Sequence, residues 1–286
     1  AFPNDEERPF ALARRGTCEA ELEDWDASAA SFAAVAEQDD LLPSATVEAL
    51  ARQGFALFNL QRDEEAEQAL ARADTVFERA RAEDVERFGT YYFVGMARFY
   101  RAAILHRRFR DVQLELPEAA MEAALREKTA LLTKAQEAYN HTIESKHVFW
   151  VSAAGYQLGH LISEFYDALM YAPAPTWLDA RGQAVYYDEL KKQLRPVVSK
   201  ATWVFEKNLE TARRLGYESP FVERSQAKLD HLQQALGSDD PGLGRPPPRL
   251  APEVEVAEVG ATPEGSPPAS VSIEDATLFV PRPTPL

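Results

Sequence analysis

Residues 46–74, TVEALARQGFALFNLQRDEEAEQALARAD, decide how the chain folds. Leu50, Gly54 and Leu57 recur at three- and four-residue steps, and so do Ala66, Leu70 and Ala73. Each set therefore lies along one face of an amphipathic helix. Between them, Asn59-Leu60-Gln61-Arg62-Asp63 reads as a tight polar connection. Asp63 is placed to cap the second helix, and Glu64 and Glu65 sit in its first turn, where the positive end of the helix dipole favours acids. Two helices joined this closely make a helical hairpin.

The pattern repeats along the chain. Leu12, Gly16, Ser28, Phe32 and Val35 stand in the same register 38 residues earlier. Pro43-Ser44 closes that first unit, with Ser44 or Thr46 as the cap of the next. Further on, Tyr156-Gln-Leu-Gly159 answers Tyr92-Phe-Val-Gly95 at an offset of 64 residues. Lys200-Ala201 followed by Phe205 answers Lys134-Ala135 followed by Tyr139 at an offset of 66. The spacing predicts hairpins over residues 9–42, 45–81, 84–144 and 146–215, the last two enlarged, after a polar leader at 1–8. The fourth carries an insertion, APAPTWLDARGQAVYYDELKKQLR, in which Tyr186, Tyr187, Leu190 and Leu194 mark an extra amphipathic segment. A closing helix over 219–236 is bounded by Gly216, Pro220 and Gly237. Its polar outer face suits the end of a stacked array.

Beyond Gly237 the composition changes: 11 of the 19 prolines fall in residues 238–286, and helical periodicity stops. Residues 238–286 read as a disordered or extended tail. Two pieces differ from it, the alternating 253–259 and the apolar, β-branched 270–280 with Val271, Ile273, Leu278, Phe279 and Val280. An apolar run in such a tail costs solubility unless something covers it. It is the candidate tail-binding segment, adding a strand to a partner or docking on this protein's own surface.

Composition narrows the function classes. A net charge of -15 repels phosphate backbones and anionic bilayers, so nucleic acid and lipid are not expected partners. No stretch approaches the roughly 20 apolar residues of a membrane-spanning helix. A single cysteine, Cys18, leaves no disulfide framework or multi-cysteine metal site and reads as inert packing. The chain begins at Ala1 without an apolar signal core, which reads as a processed form or a fragment. No phosphate-binding loop, dinucleotide fingerprint, nucleophile elbow or HExxH is present, and the five histidines are scattered. Only His160 has a carboxylate one turn along, Glu164, and two ligands make a poor metal site. No cofactor or metal is expected, and no catalytic residue is assigned. The Arg107-Arg108-Phe109-Arg110 run either docks an acidic partner or complements the C-terminal dipole of its own helix.

The order Leu, three residues, Gly, then Ala-x-x-x-Leu-x-x-Ala twelve residues on resembles the tetratricopeptide repeat, whose period is about 34 residues. The resemblance covers residues 9–215. It implies an all-α, right-handed solenoid of helical hairpins whose first helices line a concave, partner-binding groove. By register with the glycines that groove takes Arg14 and Thr17 from the first hairpin, and Arg52, Phe55 and Asn59 from the second. Tyr92, Met96, Phe99 and Tyr100 follow from the third, and Tyr156, Gln157, His160 and Glu164 from the fourth. The aromatics either line the groove or fill thicker seams between longer helices; both readings stand at this point. Thr17 and Arg52 occupy places where the family's carboxylate clamp has asparagines, which argues against a reader of chaperone C-termini.

The KA…Y/F signature and the ALMYAPAP break resemble tetratricopeptide components of bacterial cell-envelope machines, including gliding-motility (Glt-type) complexes. This implies a non-catalytic scaffold or adaptor in a bacterial multiprotein assembly, in the periplasm or cell envelope, with the cytoplasm as the alternative compartment. Its groove would bind one protein partner and its tail another. Two other readings remain: a small-molecule or glycan-binding or hydrolysing enzyme on a helical frame, using His160 and Glu164, and a structural homo-oligomer.

Overall fold

The computed structural model describes residues 8–237, and among these all regular structure is α-helical. The helices are α1 (Arg8–Glu21), α2 (Trp25–Ala36), α3 (Pro43–Asn59), α4 (Asp63–Ala82), α5 (Tyr92–Asp111), α6 (Glu118–Ile143), α7 (Val148–Tyr171), α8 (Ala180–Gln193), α9 (Arg195–Leu215) and α10 (Pro220–Gly237). The described residues form two compact units, 8–104 with 141–151, and 105–140 with 152–237. The division falls inside α5, α6 and α7. The tail segment 270–280, with Val271, Ile273, Leu278, Phe279 and Val280, lies outside the described residues. No helix among those described is long and apolar enough to cross a membrane.

In the first unit α1 packs on α2, α2 on α3 and α3 on α4. Small residues let the helices approach. A methyl group at Gly54 would sit 2.4 Å from Leu70 Cγ, and one at Gly16 would sit 2.9 Å from the Phe32 ring. The two contacts join helix pairs at the same sequence spacing, small residue to large, as the repeated register requires. Gly95 departs from this rule, because its close neighbour is Trp150 of α7, with 2.4 Å left for an added Cβ. Trp150 is wholly buried and holds an aromatic seam with Tyr92 (5.3 Å), Phe99 (5.1 Å) and Tyr100 (6.0 Å between ring centroids).

Helix ends follow local chemistry in most places. The Asp24 carboxylate accepts from Ala27 N at 3.2 Å and starts α2, Pro43 opens α3, and Gly216 closes α9 in the left-handed conformation at φ 61°. Two expected caps are corrected. Asp63 is the first residue of α4 rather than its cap, a place taken by Arg62. Ser44 lies within α3, and its backbone N and hydroxyl both donate to the Glu86 carboxylate, at 2.8 and 2.6 Å. A side chain 42 residues away thus satisfies an orphan donor of the α3 N-terminus.

In the second unit α9 packs on α10, and α8 touches α9. Asn208 of α9 is buried and donates to Ser152 O of α7 (3.1 Å) and to Ser225 Oγ of α10 (2.9 Å), tying three helices. Gly159 faces Phe205, with 2.7 Å left for an added Cβ. The insertion forms α8, capped by Asp179, and no residue of α8 is buried.

Candidate functional site

The structure divides the expected groove residues into core and surface. Phe55, Met96, Phe99, Tyr100, Tyr156 and Gln157 are all buried, at 8% exposure or less, and offer a partner almost no area. They are corrected from groove to core: the aromatics fill seams between long helices. Phe55 packs against Trp25 and Tyr100, with centroids 5.4 and 4.8 Å away. Tyr92 is half-buried against His147 and Trp150. Cys18 is exposed rather than packed.

Polar residues of the expected groove in the first unit are partly spent on their own helices. Thr17 Oγ1 donates to Ala13 O (2.9 Å) and Asn59 Nδ2 to Phe55 O (2.9 Å). Arg52 pairs with Glu48 at 2.9 Å while its guanidinium lies over the rings of Phe32 and Phe93, 5.6 and 4.9 Å away. Arg14 is exposed.

Below this surface the same unit holds a charge network that periodicity does not reveal. Arg98 of α5, only 3% exposed, pairs with Asp74 (2.7 Å) and Glu78 (2.6 Å) of α4. His141 reaches Asp74 at 3.1 Å. Burial alone would raise the Asp74 carboxyl, but hydrogen bonds from His141 and Arg98 and their charges bring it down to about 2. The hydrogen bond to Asp74 in turn raises His141.

His160 and Glu164 in the second unit belong to a network whose other members sequence reasoning missed. Their helix, α7, sets Gln157, His160, Glu164 and Asp167 at three- and four-residue steps along one stripe. Glu164 receives Arg110 Nε at 3.0 Å and His106 Nε2 at 2.7 Å, both from α5. His106 Nδ1 meets Tyr139 Oη of α6 at 3.0 Å. A carboxylate only accepts, so Nε2 carries the imidazole proton and Nδ1 accepts from the tyrosine hydroxyl. Burial lowers His106, which keeps this ring neutral. The available signal was an i,i+4 pair on each helix, His106/Arg110 and His160/Glu164, but nothing local says that they face each other.

Electrostatics separate the roles of these groups. Burial would raise Glu164, yet the His106 hydrogen bond and the Arg110 charge hold it well below the usual carboxylate range. His160, 3.6 Å from Glu164 and stacked on Tyr156, is pushed down to about 3 by burial. Asp167 is pushed up to about 6 by burial, against the charge of Lys228 and with that of Glu164. An ionised, paired Glu164 is no general acid, and a His160 near 3 is a poor base at neutral pH. The arrangement orders a polar face. Among the described residues, no group of three or more His, Cys, Asp or Glu is placed to hold a metal ion.

The basic run at the end of α5 is put to structural use in part. Phe109 is buried and Arg110 belongs to Glu164. Lys128 of α6, buried to 4% exposure, donates to Phe109 O (2.6 Å) and Val112 O (3.0 Å), satisfying carbonyls left open where α5 ends. Comparison with protein-family models finds no match, and no curated protein is significantly similar to the chain.

Proposed function

We propose that this protein is a non-catalytic scaffold or adaptor of the tetratricopeptide type, a right-handed solenoid serving a bacterial multiprotein assembly of the cell envelope. The repeated small-to-large contact between neighbouring helices, Gly16 on Phe32 and Gly54 on Leu70 at one sequence spacing, is the observation that carries it. Partner recognition falls to the residues the core does not absorb: Arg14, Arg52 and Tyr92 in the first unit, His160, Glu164 and Asp167 in the second. These offer polar and aromatic contacts on rigid helices, with hydrogen bonds already set by the surrounding network. The tail engages a second protein. The envelope placement follows from the sequence resemblance. A raised Glu164 carboxyl would favour the rival reading, a hydrolase using His160 and Glu164; here His106 and Arg110 lower it.

Affinity capture from bacterial envelope extract, with the full chain and an Arg14→Glu/His160→Ala variant as baits, tests this. The expected result is a specific captured protein that the variant loses while its unfolding temperature is unchanged. Equal capture by both baits would remove the assigned residues from recognition. No protein enriched over an unrelated helical bait would overturn the scaffold reading itself.

A further inference from the structure

His141, in the last turn of α6, is the residue at which the chain returns to the first unit, bringing the segment 141–151 with it. Trp150 anchors one end of that segment in the aromatic seam. The other end is held by charge. His141 Nε2 lies 3.1 Å from Asp74 Oδ2 of α4, and its Nδ1 lies 3.1 Å from Glu144 Oε2. A carboxylate offers only acceptors, and a neutral imidazole has a single N–H. Both contacts are hydrogen bonds only when both ring nitrogens carry protons, so this geometry belongs to the imidazolium.

The charges around this ring come from three elements. Asp74 and Glu78 stand on α4, Arg98 and Arg101 reach Asp74 from α5 at 2.7 and 3.4 Å, and Glu144 lies just past the end of α6. The Asp74 side chain is 13% exposed and fixed by both arginines, whereas that of Glu144 is 56% exposed. The hydrogen bond to Asp74 is the chief influence raising His141, against burial and the Arg98 charge, and Glu144 adds to it. His147, on the same segment, is pushed down to about 4 by burial and stays neutral while His141 titrates.

We propose that His141 is a pH-operated latch for the segment 141–151: doubly protonated it bridges Asp74 and Glu144, and on losing a proton it keeps Asp74 and releases Glu144. The order follows from the surroundings. A single N–H remains, Asp74 is held in place by Arg98 and Arg101, and Glu144 is free to turn to water. Glu144 directly follows Ile143, the last residue of α6, so its release loosens the turn into α7. Because folding raises His141, the latch contributes fully below the unfolded value of about 6.5 and is lost as pH rises through the folded one. None of its residues belongs to the partner-binding set proposed above, so either reading survives the failure of the other.

NMR of the full chain with isotope-labelled histidine tests this. At about pH 5.5 both His141 ring nitrogens are expected to be protonated, with a titration midpoint above the ordinary value of about 6.5. Glu144→Gln, a change at an exposed side chain, is expected to lower that midpoint, and Asp74→Asn to lower it further. His141→Gln supplies a donor that does not titrate. The parent's advantage over this variant in urea midpoint is expected to be larger at about pH 5.5 than at about pH 9. A parent midpoint at or below the ordinary value would overturn the proposal, as would a bare ring nitrogen at the lower pH or a midpoint indifferent to Glu144→Gln. An equal urea difference at both pH values would reduce His141 to a fixed contact and overturn it too.

Discussion

Burial moves the Asp167 carboxyl from its ordinary 3.8 to about 6, so the folded chain holds this proton more tightly than the unfolded one. Stability therefore falls as pH rises through that interval and stays lowered above it. Asp167→Asn removes the penalty. It is expected to stabilise by on the order of 1–2 kcal/mol at pH 7.5 and by nothing at pH 3.5, where Asp167 is neutral in both states. Urea unfolding of parent and variant at the two pH values checks this, and an equal difference at both would refute it. Glu164, on the same helix, behaves oppositely: its carboxyl is lowered, so its contribution is present above its ordinary range and lost as acid protonates it. The sequence placed His160 and Glu164 one turn apart and stopped there. Their partners His106 and Arg110 lie more than 50 residues away along the chain, and no local pattern encodes that distance.

At the scale of elements, the crossing of α3 and α4 depends on Gly54. Alanine there gains about 1 kcal/mol of helix propensity. Its methyl, however, would stand 2.4 Å from Leu70 Cγ, and Leu70 is wholly buried. Overpacking wins: Gly54→Ala is expected to destabilise by about 1–3 kcal/mol. In that background Leu70→Ala should cost less than in the parent, a coupling that a double-mutant cycle in denaturant reads directly. Helices and most of their ends were legible, because periodicity, prolines and Gly216 act within a few residues. The caps of α3 and α4 were not. Glu86 reaches Ser44 from another element, and Asp63 enters its helix instead of preceding it.

For the whole molecule, a net charge of -15 opposes self-association. The full chain is expected to sediment as a monomer of 31.9 kDa at low salt, with self-association rising only where high salt screens that charge. A parent that sediments as a stable dimer would favour the structural-oligomer reading. The sequence by itself determined the helices of residues 8–237, their repeated register and the small residues at which helices close on one another. These follow from backbone hydrogen bonding and side-chain spacing along single helices. Only the tertiary structure decided which side of each helix is covered. It withdrew Phe55, Met96, Phe99, Tyr100, Tyr156 and Gln157 into the core and joined His106, Tyr139 and Glu164 across three helices. The physical reason is that an amphipathic stripe states how much surface must be buried, while the neighbours that bury it are set by packing between residues far apart in the chain.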